Sequence, residues 1–282
     1  MKSVLVMLKE YQKQASPTEK SIIEYILKHP KKTTEKTVHE LSEGTFSSPA
    51  SIIRMCKKIG FTGFKDFTKA LIYELAVREH TKTERKNGII KLNSTDGIVE
   101  EVTYNNIISL EDTKNIIDIE IIDQCIELLT KCENISIFGI GSSLIVAKDA
   151  QQKFMRLNRR CSVSEDWHLQ LLTARNMSSR DIGIIISYSG QTIEMIECAK
   201  AMKENDTTII SITKYGTSPI VELSDYNIFV AANESTFRSG AMSSRISQLN
   251  VIDILYSVYA STQYEKSLEQ ISKTHIRKEP NQ

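Results

Sequence analysis

Several features that define common classes of protein are missing from this sequence. No stretch approaches the roughly 20 consecutive apolar residues that a membrane-spanning helix requires, and the densest apolar run, Ile182–Ile186, has the length of a buried strand. The first residues, MKSVLVMLKEYQK, have neither the apolar core nor the cleavage site of a signal peptide. The five cysteines are scattered and form no CxxC pair, which disfavours a zinc site or a disulfide framework. We therefore expect a cytoplasmic protein that uses neither a metal nor a cofactor.

The charged residues are distributed unevenly along the chain. The 282 residues have a net charge of +1, yet residues 1–76 contain 13 basic and 8 acidic side chains, whereas the remainder contains 23 and 27. A basic first quarter joined to an acidic remainder indicates nucleic acid as a partner of the first part. The length is sufficient for two modest domains.

Residue patterns divide the chain into four segments. Apolar residues recur at helical spacing through residues 1–76, whereas residues 77–97 are polar and lack periodicity, which is typical of a linker. Residues 98–264 begin with two helical stretches and continue with short apolar strands that alternate with helices. Residues 265–282 are polar and are predicted to be a mobile tail.

The alternating part predicts a specific fold. Five apolar strands are predicted at 135–139, 160–164, 182–187, 207–212 and 226–231. Continuous apolar strands separated by helices indicate a parallel sheet that is covered by helices on both faces. We therefore predict an α/β, flavodoxin-like sheet with the strand order 2-1-3-4-5, preceded by an all-α domain. In this order the first and third strands are neighbours, and ligands bind in the crevice at their carboxyl ends.

Residues 37–59 have the layout of a helix-turn-helix. A short helix, TVHELS, is followed by the turn EGTF and by a second helix, SSPASIIRMCKKIGF. DNA-binding proteins with this layout insert the N-terminal end of the second helix into the major groove. The residues expected to contact bases or phosphates are Ser48, Ser51, Arg54, Lys57, Lys58 and Lys65. A helical oligomerisation module with a solvated basic face is the alternative.

Two segments of the first domain, SPTEKSIIEYILKHP and TVHELSEGTFSSPASIIRMCKKIGFTGFKDF, carry a resemblance to a known family. In sequence and in spacing they resemble the N-terminal domain of the RpiR family of bacterial transcription regulators, of which IGFTGFKDF is characteristic. One departure is local: the second helix follows Phe46-Ser47, where a small aliphatic residue is more usual. The resemblance implies operator DNA as a partner, bound by a homo-dimer or homo-tetramer.

Two hydroxyl-rich loops follow the first and third predicted strands. These are GIGSS at 139–143 and SYSGQT at 187–192, and each opens a helix. A helix N-terminus offers unpaired backbone N–H groups and a partial positive charge, to which serine hydroxyls add donors. Neither loop contains lysine or arginine. Because both loops reach the same crevice, the sequence predicts a phosphate site that is built from hydroxyls and amides.

A dinucleotide site is an alternative use of the first loop. Gly139 and Gly141 follow the first strand, and Glu165 ends the second, which is roughly where a ribose-binding acid stands in such sites. Leu144 stands where the third glycine belongs, however, and the second loop has no role in this scheme.

The two loops and the later segment SGAMSSRISQLNVIDILY make residues 124–262 similar to a SIS (sugar isomerase) domain. The resemblance implies that the phosphate of a sugar binds to Ser143, Ser187, Ser189 and Thr192. The side chains that line the loops would be Ser142, Tyr188, Gly190 and Gln191. Glu165 is a candidate contact to sugar hydroxyls or an ordinary solvated acid. Arg245 is a candidate contact to ligand or to a partner subunit, or part of a helix-start salt bridge.

SIS domains also occur in isomerases and lyases, which need a general base at the sugar. The candidates are Glu165, His168, Glu194 and Glu234, and none has a catalytic spacing. An isomerase has no need of a DNA-binding domain. The sequence therefore predicts a transcriptional regulator of sugar or amino-sugar metabolism, not an enzyme, whose operator binding responds to a sugar phosphate. An α/β oligomerisation protein with a degenerate ligand site is a third hypothesis.

Overall fold

The computed structural model of this protein describes residues 3–83, 94–233 and 241–274. The chain divides into two units, Met1–Ile116 and Ile117–Gln282. Within the described ranges, no helix is both long enough and apolar enough to cross a membrane.

The described part of the first unit is all helical. Its helices are α1 (Val4–Tyr11), α2 (Pro17–Lys28), α3 (Pro30–Thr34), α4 (Val38–Gly44), α5 (Pro49–Lys58), α6 (Phe64–Thr83) and α7 (Thr95–Ile116). Ser16 and Thr37 begin α2 and α4 with complete capping boxes, in which the hydroxyl accepts a backbone N–H and a glutamate accepts the N–H of the cap. Apolar side chains at helical spacing, including Ile22, Ile26 and Ile52, are fully buried in this unit.

The first unit extends further along the chain than the predicted helical domain at 1–76. Helix α7, predicted as part of the second domain, groups with the first unit. A buried polar contact joins α7 to this unit, because Ser3 Oγ lies 3.2 Å from a carboxylate oxygen of Asp112 and 3.1 Å from one of Glu74, and its single proton is shared between them. The predicted linker at 77–97 is partly helical, since α6 runs to Thr83, and its residues 84–93 lie outside the described residues.

The second unit contains the predicted five-stranded parallel sheet. The strands are β1 (Ile135–Phe138), β2 (Cys161–Val163), β3 (Ile182–Ile186), β4 (Thr208–Lys214) and β5 (Tyr226–Val230), in the order β2-β1-β3-β4-β5. The fold class and the strand order predicted from the sequence are confirmed. Strand β3 is buried along its whole length, as expected for a central strand that is covered on both faces.

Helices cover both faces of this sheet. They are α8 (Ile119–Lys131), α9 (Ser142–Arg156), α10 (Trp167–Asn176), α11 (Ile193–Glu204), α12 (Pro219–Leu223), α13 (Ser243–Thr262) and α14 (Tyr264–Lys273). Residues of α8, α9 and α13 form one buried apolar cluster with the sheet, and residues of α10, α11 and α12 form another. The segment predicted as a polar tail, 265–282, is helical up to Lys273, and Ser267 within this helix is buried. Residues 275–282 lie outside the described residues.

Candidate DNA-binding face and anion site

Serine hydroxyls fix the N-terminus of α5, the second helix of the helix-turn-helix. Ser48 Oγ accepts the backbone N–H of Ser51 at 3.2 Å and lies 2.9 Å from Ser51 Oγ. One turn further along, Arg54 donates to Ser51 Oγ at 3.4 Å. Ser48 and Arg54 are exposed and Ser51 is half-buried. The structure therefore brings these three predicted residues together at the exposed N-terminal end of the helix.

The turn before α5 has an unusual backbone conformation. Phe46 has a φ of +50°, in the left-handed region that a bulky residue adopts only at a cost. Its side chain is 98% exposed, so burial of the ring does not offset that cost. The turn is closed by the backbone N–H of Ser47, which donates to the carbonyl of Ser42 at 2.9 Å. The position at which the sequence departs from the family that it resembles is thus a strained position.

The predicted cationic residues differ in their surroundings. Arg54, Lys57 and Lys65 are exposed. Lys58, in contrast, donates from Nζ to Glu19 Oε1 at 2.8 Å, so part of its charge is neutralised within the domain. Lys58 therefore connects α5 to α2 in addition to any contact with phosphate.

Glu19 is the most perturbed carboxylate near this face. Burial would raise its pKa, but hydrogen bonds from Lys58, from the backbone and hydroxyl of Ser16 and from Tyr11 outweigh burial and lower the pKa to about 2. Glu19 is thus ionised at neutral pH and joins the start of α2 to the end of α5. The capping role of Glu19 is local, because Glu19 follows Ser16 by three residues, whereas its partner Lys58 is 39 residues away and was not predicted.

In the second unit, both hydroxyl-rich loops leave the carboxyl ends of adjacent strands. Phe138 at the end of β1 pairs with Ile185 of β3, and the loops begin at Gly139 and Ser187 respectively. Neighbouring parallel strands are about 4.8 Å apart, so the loops start side by side. The structure therefore places the predicted loops on one edge of the sheet.

The first loop is closely packed against its own helix. A Cβ atom at Gly139 would lie 3.0 Å from backbone atoms of Ser143, which leaves little room for a side chain. Gly141 has a φ of +61° and precedes α9 without a side-chain cap. Ser142 and Ser143 follow as the first residues of the helix and are half-buried. Ser143 Oγ makes one long hydrogen bond, of 3.4 Å, to Gln248 Oε1 on α13.

The second loop is held by its own hydroxyls and by the next loop along the chain. The hydroxyls of Ser187 and Thr192 lie 3.2 Å apart, and Ser189 Oγ accepts the backbone N–H of Gln191 at 3.2 Å. Gly190 has a φ of +64°, and a Cβ atom there would lie 2.1 Å from Ser218 Oγ. The backbone carbonyl of the half-buried Tyr188 accepts the N–H of Lys214 at 2.9 Å.

The two helices that the loops open, α9 and α11, begin without a side-chain cap, as do α13 and α14, whereas α8, α10 and α12 are capped. Side chains of Asp118, Asp166 and Ser218 accept backbone N–H groups at the starts of α8, α10 and α12. Gly141 has no side chain to cap α9, and Thr192 makes no such bond at α11. Both uncapped N-termini lie at the carboxyl edge of the sheet. They offer backbone donors and positive dipole ends to an anion.

Gln170 supports the first loop but was not among the predicted residues. This buried side chain accepts the N–H of Gly139 at 3.1 Å and donates to the carbonyls of Gly139 and Ser164 at 3.1 and 3.0 Å. Its amide thereby joins the ends of β1 and β2. The sequence holds only a weak signal, a glutamine four residues before Ala174 on the buried face of α10.

The acidic and cationic candidates that the structure describes differ in exposure and in their local contacts. Glu165 is exposed and pairs with Lys148 of α9, which lowers the pKa of the carboxyl. His168 is exposed and lies beside Trp167, with 5.8 Å between the ring centroids. Glu194 and Arg245 are half-buried in the first turns of α11 and α13. Glu234 lies outside the described residues.

Comparison with known proteins agrees with the helix-turn-helix in the first unit and with the parallel sheet and its loops in the second. The sequence profile of the rpiR-family helix-turn-helix domain matches residues 2–78, and that of the SIS domain matches residues 128–258. The chain is 37% identical to a protein described as an uncharacterized HTH-type transcriptional regulator, TTE0211 of Caldanaerobacter subterraneus subsp. tengcongensis, over 97% of this chain and 96% of that protein. It is 29% identical to the HTH-type transcriptional regulator HexR of Pseudomonas aeruginosa, over 90% of this chain and 88% of HexR.

A solved structure matches both units. It is that of the Vibrio vulnificus NanR protein complexed with ManNAc-6P, with a TM-score of 0.60, 25% identity and coverage of 96% of each chain. An N-terminal helix-turn-helix followed by a SIS domain defines a class of bacterial transcription regulator. This chain belongs to the RpiR family of HTH-type transcriptional regulators.

Proposed function

We propose that this regulator is a cytoplasmic sensor of a phosphorylated sugar, and that the sugar phosphate alters its affinity for operator DNA. The phosphate binds between the two hydroxyl-rich loops, to Ser143, Ser187, Ser189 and Thr192. Ser142, Tyr188, Gly190 and Gln191 line the site, and Glu165 contacts sugar hydroxyls.

The observation that carries this proposal is the pair of uncapped helix N-termini at the carboxyl ends of β1 and β3. Backbone N–H groups and hydroxyls there supply donors to an anion without the bulk of a cationic side chain. Glu165 pairs with Lys148, so its negative charge is partly balanced. The complex of NanR with ManNAc-6P supports a sugar phosphate as the anion.

Thermal unfolding against a panel of hexose, amino-sugar and pentose phosphates tests the ligand site. A ligand at 100 times its dissociation constant adds about 2.7 kcal/mol of stability, which corresponds to a rise in Tm of several degrees. We expect one sugar phosphate to raise the Tm of the wild type and to have little effect on Ser189→Ala. A wild-type Tm that no member of the panel raises would count against the effector.

The second half of the proposal concerns operator DNA, which binds to the exposed N-terminal end of α5. Ser48, Ser51 and Arg54 face the bases, and Lys57, Lys58 and Lys65 face the phosphates. Replacing Lys65 with alanine should weaken binding to all duplexes and reduce its salt dependence, whereas Arg54→Ala should also relax sequence preference. Duplexes selected by the wild type from a random pool provide the DNA for both measurements.

Coupling between the two halves requires the sugar phosphate to bind one arrangement of the protein better than another. A homo-dimer or homo-tetramer would present two second helices to the two half-sites of an operator. Titration of the selected duplex with and without saturating ligand tests the coupling. Equal DNA affinity in both titrations would contradict it.

We propose no enzymatic activity for this chain. Among the candidate bases that the structure describes, Glu165 and His168 are exposed, and Glu165 is paired with a lysine. A general base needs to reach the sugar carbons beside the bound phosphate. Conversion of any sugar phosphate of the panel during prolonged incubation would favour the isomerase or lyase alternative.

A further inference from the structure

Two glutamine side chains are buried beneath the first loop, and they differ in their hydrogen bonds. Gln170 and Gln248 are each 1% exposed. The amide of Gln170 is saturated, because it accepts one hydrogen bond and donates two. The Nε2 atom of Gln248 has no hydrogen-bond partner among the described residues, and its Oε1 accepts only the long bond from Ser143.

The unpaired amide of Gln248 is not a consequence of poor packing in that part of the chain. The preceding residue on α13, Ser247, donates a short bond of 2.7 Å to the carbonyl of Ala231 at the end of β5. Residues Val251, Ile252 and Leu255 of the same helix are fully buried in the apolar core. Buried donors are almost always paired in native proteins, and an exception calls for an explanation, of which a role in binding is one.

The direction of the bond between Ser143 and Gln248 conflicts with phosphate binding. A serine hydroxyl carries one proton, and a hydrogen bond to the amide oxygen of Gln248 uses that proton because the oxygen can only accept. A phosphate dianion offers only acceptor oxygens. In this arrangement Ser143 presents lone pairs to the anion, which are repelled. Ser143 therefore has to release Gln248 Oε1 before it can donate to a phosphate, and its lone pairs can then accept a hydrogen bond from the protein side.

Rotation of the Gln248 amide by half a turn supplies that partner. It exchanges the positions of Oε1 and Nε2, so that Nε2 donates to Ser143 Oγ and Oε1 takes the position at which Nε2 had no partner. The hydroxyl proton of Ser143 is then available to a phosphate oxygen, and donation from the amide polarises the hydroxyl further. The existing bond is longer than the usual 2.7–2.8 Å of hydroxyl bonds, so its loss costs little.

We propose that Gln248 is a positioning residue of the anion site, whose amide turns to donate to Ser143 when a phosphate binds. This inference rests on the proposed function of the two loops. It assigns a role in ligand binding to a residue of α13, which lies outside both loop motifs.

Two variants and one control test the proposal in the full-length protein. Gln248→Met keeps a similar length but cannot form hydrogen bonds, and it removes a buried unpaired donor. We expect the Tm of the ligand-free variant to be equal to or above that of the wild type, and its affinity for the sugar phosphate to fall about tenfold. Gln170→Met, the control, should lower the Tm of the ligand-free protein, because it breaks three satisfied bonds.

Gln248→Glu provides a pH readout that a purely structural role would not give. An ionised carboxylate only accepts, so it retains the Ser143 proton and also repels the phosphate. The ratio of wild-type to variant affinity should be large at high pH and should decrease as the pH falls and the glutamate gains a proton to donate. The ionisation of the ligand changes both affinities by the same factor, so the ratio at each pH does not depend on it.

The outcomes separate this inference from the proposed function. Unchanged ligand affinity in Gln248→Met, or an affinity ratio for Gln248→Glu that does not vary with pH, would overturn the role of Gln248 while the phosphosugar site stands. If the wild type binds neither the sugar phosphates nor inorganic phosphate, the site and the inference are both rejected.

Discussion

The two units hold their functional side chains by different chemistry. In the helix-turn-helix unit, carboxylates do this: Glu19 and Glu40 complete capping boxes, and Glu19 also binds Lys58 of α5. In the SIS unit, neutral amides and hydroxyls hold the loops, through Gln170 and the pair of Ser187 and Thr192. The difference follows from the ligands. A carboxylate directly beneath a phosphate site would repel the ligand. A carboxylate behind a basic face stabilises the domain by more than its repulsion weakens DNA binding.

This comparison predicts that the two units respond to different perturbations. The DNA-binding unit should be sensitive to acid and to loss of a single charge. The stability of the loops of the SIS unit should depend little on pH but strongly on small changes in volume, because uncharged groups in close contact define their shape.

The largest effect is expected for Gly190→Ala in the second loop. The new Cβ atom would lie 2.1 Å from Ser218 Oγ and 2.7 Å from Ser218 Cβ, so rotation of the hydroxyl does not relieve the overlap. The backbone φ of +64° adds a further penalty for any L side chain. We expect a loss of about 2–4 kcal/mol in the free energy of unfolding of this unit, together with loss of phosphate binding.

Gly63→Ala is the matched control for that measurement. A Cβ atom at Gly63 would meet nothing within 4 Å. Urea denaturation of both variants, monitored by circular dichroism, gives the two changes in stability. A loss for Gly190→Ala no greater than that for Gly63→Ala would show that the second loop is not tightly packed.

The next largest effect is expected for Glu19→Gln. The substitution removes the ion pair with Lys58 and weakens the cap of α2, which together contribute about 1–3 kcal/mol at neutral pH. Because the folded pKa of Glu19 is about 2 and its ordinary value is 4.5, this stability is fully present above pH 4.5 and is lost as the pH falls towards 2. The difference in Tm between wild type and variant should therefore shrink with acidification.

Glu127→Gln provides the comparison for Glu19. Glu127 also pairs with a lysine, Lys131, but both side chains are exposed, and pairs of this kind contribute little. If the two variants changed the Tm equally at neutral pH, the buried position of Glu19 would have no special importance.

A smaller effect, of opposite sign, is expected for Phe46→Gly. Relief of the left-handed conformation should stabilise the helix-turn-helix unit by about 1 kcal/mol, partly offset by the greater flexibility of glycine in the unfolded chain.

The SIS unit has left-handed positions at Asn158 and Asp206, with φ of +58° and +53°. Asparagine tolerates this region better than phenylalanine, so Asn158→Gly should raise the Tm less. A larger rise for Asn158→Gly would contradict the strain assigned to Phe46.

How much of each unit could be predicted from the sequence depends on whether its structure is determined by local signals in the chain. Strands and loops of the SIS unit were predicted closely, because apolar runs such as Ile182–Ile186 and the residues after them are local signals. The start of α5 was also predicted, since a Ser-Pro pair is a local cap signal. Helix α3 was not predicted as a separate element, although Pro30 stands at its first position, where proline commonly begins a helix.

What the sequence did not predict depends on pairs that are distant along the chain. Ser143 and Gln248 are 105 residues apart, and Ser3 and Asp112 are 109 apart. No local pattern distinguishes these polar residues from solvated ones, because their partners are determined by how the helices pack. The extent of the first unit and the role of α13 at the first loop were therefore visible only in the structure.

The smallest expected effect on stability is that of Glu165→Gln, and it separates the sugar from its phosphate. Glu165 is exposed and paired only with Lys148, so the Tm of the ligand-free protein should not change measurably. If the carboxylate accepts hydrogen bonds from sugar hydroxyls, the variant should bind the sugar phosphate about three- to tenfold more weakly. Its affinity for inorganic phosphate should change little, because removing a nearby negative charge does not weaken an anion site. Calorimetric titration with both ligands gives the two ratios. Equal ratios would place the sugar ring away from the end of β2 and leave Glu165 as a solvated surface acid.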